Sequence, residues 1–78
     1  MNATTEEVIN IIAKIAKKSP SEVQPENDLT SDFNMKSMAR FELAALLENH
    51  FKVKVSNNEI RLSNKVSDVI ELIEKKLS

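Results

Sequence analysis

The chain has no cysteine, no glycine, no tryptophan and no tyrosine, and only one histidine, His50. Without cysteine there is no disulfide and no thiolate metal site, and no side chain can form a thioester by itself, so any thiol chemistry has to be imported. A single histidine leaves a zinc site short of ligands and an acid–base catalyst without an evident partner, which sets metalloenzymes aside. The lack of glycine removes the glycine-rich loops that cradle nucleotide phosphates. Charge of one sign is also lacking: 11 basic and 12 acidic residues are interspersed, for a formal net charge of −1. No basic stripe for nucleic acid results. No apolar run approaches membrane-spanning length, and Met1–Glu7 lacks the regions of a signal peptide. The expectation is a cytoplasmic protein that neither inserts into a membrane nor binds nucleic acid.

What is present is a supply of aliphatic side chains. Hydrophobic residues make up 41% of the 78, and Phe33, Phe41 and Phe51 are the only aromatics besides the histidine ring. Val, Ile and Leu must therefore fill a core near the lower size limit for independent folding, and one domain over residues 1–78, acting as a monomer, is expected.

Periodicity predicts helices. Thr4 or Thr5 can cap a first helix over roughly residues 4–17, with Val8, Ile11, Ile12 and Ile15 as its apolar stripe and Pro20 beyond its end. Residues 19–36 hold both prolines and no sustained period, which predicts a long ordered connection pinned to the core by Val23, Leu29 and Phe33. A second helix is expected from Ser37 to His50 or Phe51. Leu43, Leu46, Leu47 and His50 form one stripe with Ala39, and Met38, Phe41 and Ala45 form another. The second stripe is either buried on a further side or meets a partner or a bound chain. An extended connector over 51–55, a short helix capped by Asn57 or Asn58 and running to Leu62, and a final helix capped by Ser63 or Asn64 complete the chain. Val66, Val69, Ile70, Ile73 and Leu77 form the last stripe. The expected fold is all-α: a small antiparallel four-helix bundle, three main helices and one short, with a long first loop.

Ser37 stands where loop meets helix. As a nucleophile it lacks a base, because His50 lies thirteen residues further along the same helix, about 20 Å away at about 1.5 Å per residue. Two readings of the local sequence remain open. Serine often serves as a helix N-cap, and a helix N-terminus also stabilises a phosphate, here with Lys36 and Arg40 adjacent.

The stretch Asp32-Phe33-Asn34-Met35-Lys36-Ser37-Met38-Ala39-Arg40-Phe41-Glu42-Leu43 resembles the acyl carrier protein family's D-L-G-x-D-S-L-x-x-x-E-L. Leu46–Phe51 is similar to the end of that family's second helix and Val66–Ile73 to its last, so the resemblance covers essentially the whole chain. It implies a non-enzymatic carrier with 4'-phosphopantetheine, donated by coenzyme A, on Ser37 beside Lys36 and Met38. The cargo would be an acyl thioester in a fatty-acid, lipid or polyketide pathway. A peptidyl or amino-acyl carrier, and a helical interaction module without the prosthetic group, are the alternatives. Implied partners are a phosphopantetheinyl transferase and acyl-transferring, synthase or ligase enzymes, meeting Met38, Arg40, Phe41, Glu42, Ala45 and Glu48. An apolar cargo folding back would be lined by Leu46, Val55, Ile60, Leu62, Val66 and Ile70.

The chain departs from the pattern in several places. Asn34 replaces a glycine, an exchange the turn should survive because Asn visits positive φ more readily than other side chains. Lys36 replaces the acid before the serine, and Met38 the leucine after it. Ala39, Arg40 and Asn49 also leave the partner face short of negative charge, which points to a specialised carrier.

Overall fold

The computed structural model describes residues 2–78, and among them there are four helices and no strand: α1 (Ala3–Ala16), α2 (Ser37–Phe51), α3 (Asn57–Arg61) and α4 (Val66–Leu77), with a single 3₁₀ turn at Pro20–Glu22. α1 packs against both α2 and α4, and α3 lies against α2. Among the described residues no helix is long and apolar enough to cross a membrane.

α1 begins earlier than its threonines suggest. Asn2 is the N-cap, its side-chain oxygen accepting the Thr5 N–H at 2.8 Å, in keeping with the stronger capping tendency of Asn over Thr. Val8, Ile9, Ile12 and Ala13 form its buried face, while Ile11 and Ile15 are only partly covered. Its C-terminus turns at Lys17, which has φ 60°, with the Lys18 N–H donating to the Ala13 carbonyl at 3.0 Å. α2 ends in the same way at Lys52, with φ 58° and its N–H on the Glu48 carbonyl at 2.9 Å.

Left-handed helix ends are normally glycine positions, and a side chain there costs about 1–2 kcal/mol of local strain. Glycine at residue 52 removes that strain but adds about 0.5–1 kcal/mol of unfolded-state entropy. Lys52→Gly is therefore expected to stabilise the fold by about 0.5–1 kcal/mol, read as a thermal midpoint roughly 2–8 °C higher.

The long connection is a structural member. Val23, Leu29 and Met35 are fully buried in it and Phe33 is half-buried against the core. Its backbone closes on α4: Leu29 donates to the Asn64 carbonyl (2.9 Å), Val66 to Asn27 (3.0 Å) and Ser67 to Pro25 (2.9 Å). Two of the orphan N–H groups at the start of α4 are thereby satisfied from the loop. Lys65, rather than Ser63 or Asn64, is the cap residue, and Asp68 accepts the N–H groups of Asn64 and Lys65 at 3.0 Å each.

α3 is capped by Ser56, not by Asn57 or Asn58. The Glu59 N–H donates to the Ser56 hydroxyl at 3.1 Å and the Ser56 N–H to the Glu59 carboxylate at 3.0 Å. This is a reciprocal S-x-x-E box, a signal already present in Ser56-Asn57-Asn58-Glu59. The Glu59 carboxyl is held below its ordinary value, chiefly by the Ser56 N–H and next by Lys76, whose Nζ lies 2.9 Å away on α4. The core of Val8, Ile12, Leu29, Met35, Leu43, Leu47, Ile60, Val66, Val69 and Ile73 sits between the helices, and Leu77, expected in the last stripe, is exposed.

Candidate functional site

A folded loop delivers Ser37 to the surface. The Asp28 carboxylate accepts the N–H groups of Thr30 (2.9 Å) and Ser31 (2.8 Å), and the Ser31 N–H above all keeps that carboxyl below its usual range. Asp32 accepts the Asp28 N–H at 2.7 Å. The chain then reverses at Asn34, with φ 55° and its N–H on the Thr30 carbonyl (2.8 Å), so the glycine position is filled by an Asn in the left-handed region, as expected. Met35 drops into the core, its N–H bound to the Leu29 carbonyl at 3.0 Å. Lys36 is extended, and α2 starts with Ser37 as its first helical residue.

The N-cap reading of Ser37 is thereby corrected. The cap position belongs to Lys36, which offers no side-chain acceptor, and the Ser37 side chain is exposed. The amides of the first helical turn have no partner within the helix, so the positive end of α2 faces the Ser37 hydroxyl. A phosphate on that oxygen would meet free N–H groups and the exposed Lys36, and the residues fit such a group.

The second stripe of α2 faces outward rather than into a second core. Met38 is 80% exposed and Phe41 51%, and Ala45 and Glu42 are exposed beside them. Glu48 is exposed as well, but its Oε1 accepts the Val55 N–H at 2.8 Å and holds the connector to α2.

Arg40 differs from its expected place on the partner face. Its guanidinium turns into the fold, donating from Nε to the Met35 carbonyl (3.2 Å), from Nη1 to the carbonyls of Ile60 (2.9 Å) and Ser63 (2.6 Å), and from Nη2 to the Thr30 hydroxyl (2.9 Å). It clamps the start of α2 to the end of α3 and to the loop.

His50 also differs from expectation. It is exposed instead of completing the inner stripe, with Nε2 2.6 Å from Glu7 Oε2 and its ring edge-on to Phe51. Ala44 takes the buried place beside Leu43 and Leu47, and Leu46 is half-exposed.

Of the residues expected to line a cargo pocket, Val55, Ile60, Val66 and Ile70 are core. Leu62 is corrected: it is 66% exposed and lines a surface cleft with Ser63, Asp68 and Leu72, on the α4 side. Ser37 itself borders a groove of about 380 Å³ between α2 and α3, with Arg40, Phe41, Asn57, Asn58 and Arg61. Sequence reasoning missed Asn57, Asn58 and Arg61 as neighbours of Ser37, because only the fold of the connector brings α3 beside the start of α2. Ser37 and His50 are not brought together, lying near opposite ends of α2. Among the described residues no group of three or more His, Cys, Asp or Glu side chains is placed to hold a metal.

Comparison with known proteins places these features in a family. Residues 6–73 match the family described as "Phosphopantetheine attachment site". The chain is 33% identical over 79 residues to the meromycolate extension acyl carrier protein of Mycolicibacterium smegmatis, covering 96% of this chain and 80% of that one. It is 32% identical over 79 residues to the protein of the same name from Mycobacterium tuberculosis, covering 96% and 69%. With an acyl carrier protein of Acidothermus cellulolyticus it shares 31% over 67 residues, covering 86% and 76%.

Proposed function

This chain belongs to the acyl carrier protein family, the phosphopantetheine-binding carriers, and from that membership we propose that Ser37 is the residue that receives the arm. The observation that carries this is the exposed Ser37 hydroxyl at the first position of α2, free of capping duty and next to unpaired helix amides. Coenzyme A is the donor and a phosphopantetheinyl transferase the catalyst. The arm supplies the terminal thiol that this cysteine-free chain lacks, and acyl groups ride on it as thioesters. The chain's own residues expose the hydroxyl, hold α2 in register through Met35 and Arg40, and stabilise the phosphodiester by the helix end, worth about 0.3–1 kcal/mol at an exposed site. The protein acts as a substrate shuttle and not as an enzyme.

Two of the relatives are named for meromycolate extension, which supports a lipid-type acyl cargo over an amino-acyl one. Met38, Phe41 and Ala45 give the partner enzymes an apolar contact, flanked by Glu42 and by the exposed Lys36. A positive charge immediately before the serine disfavours partners built to meet an acid there, so Lys36 marks a dedicated route. With a transferase of the general fatty-acid type, Lys36→Asp is expected to raise the modification rate by about 3–10-fold, since steering by local charge acts mainly on encounter. An unchanged rate overturns the charge argument.

The carrier reading itself is tested by the intact mass of the protein purified from its own host. One phosphopantetheine, with or without an acyl group, is expected on the peptide containing Ser37. A bare polypeptide overturns the reading.

A further inference from the structure

The short helix α3 is tied down from three directions. Before its start, the Glu48 carboxylate on α2 accepts the Val55 N–H at 2.8 Å, and Lys76 of α4 reaches Glu59 at 2.9 Å. At its other end, where no further turn supplies N–H groups to the last carbonyls, those carbonyls gather on one cation. Arg40 Nη1 donates to the carbonyls of Ile60 (2.9 Å), Arg61 (3.4 Å) and Ser63 (2.6 Å), and the Ser63 N–H adds a bond to the Ile60 carbonyl at 3.0 Å. The same guanidinium is fixed on the other side by the Met35 carbonyl and the Thr30 hydroxyl. Arg40 is thus both the C-terminal cap of α3 and a bolt joining α2, α3 and the long loop. Behind the bolt, Leu43, Leu47, Ile60, Val66 and Val69 are fully buried.

For a chain carried on Ser37, the way to these apolar side chains runs between α2 and α3, the seam that Ser37 borders. Opening it requires α3 to move off α2. Each carbonyl parted from Arg40 then faces hydrocarbon, which offers no donor, and several charge-assisted bonds are lost together. Resting on the assignment of Ser37 as the attachment point, we propose that Arg40 is a cargo-specificity residue: it keeps the α2–α3 seam shut, so the acyl chain rides outside the core and the carrier suits short acyl groups. Each methylene left in water forgoes the gain of burial, so the mismatch grows with chain length. Arg40 acts here by positioning α3, not by touching the thioester.

The test loads the wild type and Arg40→Met from acetyl-, hexanoyl- and decanoyl-coenzyme A with a broad-specificity transferase and confirms each product by intact mass. Methionine keeps an unbranched stem and deletes the fork. In the wild type, the methyl NMR signals of Leu47, Ile60 and Val66 are expected to be the same for all three cargoes. In Arg40→Met they are expected to shift progressively with chain length, and the decanoyl form to melt at least about 4 °C above the acetyl form, because a chain buried only in the folded state stabilises it. A purely structural role for Arg40 would lower every midpoint alike and give no dependence on the cargo. Core shifts that grow with chain length in the wild type overturn the proposal while leaving the carrier assignment standing, and so does a folded Arg40→Met whose core ignores the cargo. The wild-type series decides the matter even where Arg40→Met is too unstable to fold. Absence of any mass gain overturns both the proposal and the carrier assignment.

Discussion

Incubated with coenzyme A and a broad-specificity phosphopantetheinyl transferase, the wild-type chain is expected to gain one phosphopantetheine and Ser37→Ala none, with the same thermal midpoint for both unmodified proteins. The chemical half follows from inventory: the modification needs an exposed hydroxyl at the recognised helix start, and alanine has none. The stability half separates attachment from capping. Were Ser37 a cap, alanine would cost about 1 kcal/mol, which in a domain of this size lowers the midpoint by about 4–8 °C. Because the cap position is Lys36 and the Ser37 side chain is exposed, the change should stay within about 0.5 kcal/mol. Modification that persists in Ser37→Ala moves the attachment to another hydroxyl and sinks the assignment.

The second large effect is expected at Arg40. Arg40→Ala deletes donors to four backbone carbonyls, those of Met35, Ile60, Arg61 and Ser63, and to one hydroxyl. Each such bond to a charged group contributes about 1.5–3 kcal/mol, and a carbonyl left partly buried without a partner costs about 1–3 kcal/mol. Water can reach part of the vacated space, so the total falls short of the sum; we expect about 2–4 kcal/mol in urea unfolding. Small domains have total stabilities of about 5–15 kcal/mol, and this one, at 78 residues, sits at the low end. Much of its margin would be lost. Arg40→Lys should recover only about 1 kcal/mol, since one ammonium cannot replace a planar fork bound to Met35, Ile60, Ser63 and Thr30 at once. Full recovery by lysine would mean that charge, and not the fork, is what matters there.

Helix positions were legible because aliphatic residues recur at helical spacing, and the loop anchors Val23 and Leu29 because they stand alone in polar surroundings. None of the four caps was. Asn2, Lys36, Ser56 and Lys65 compete with neighbouring Thr, Asn and Ser residues, and which of these turns the chain depends on the tertiary path. The role of Arg40 was invisible for a similar reason, since its main acceptors lie 20 and 23 residues away and are carbonyls, which no side-chain pattern marks. Around Ser37 the loop-to-helix junction was readable, but the far wall of the groove was not. His50 was misplaced because spacing alone cannot tell the last turn of a buried stripe from a solvated one beside Glu7.

The backbone of Lys17, Asn34 and Lys52 carries a consequence for the denatured ensemble. A chain without glycine explores fewer conformations when unfolded, so it has less disorder to give up on folding. Its reversals are made instead under tension in the native state, at three residues whose Cβ atoms disfavour them. The fold thus concentrates its costs at three joints, two of them the ends of α1 and α2 and the third the turn that presents Ser37. Those joints are where a stabilised version of this carrier would be built, and the turn at Asn34 is the one where easing the tension would also change how Ser37 is presented.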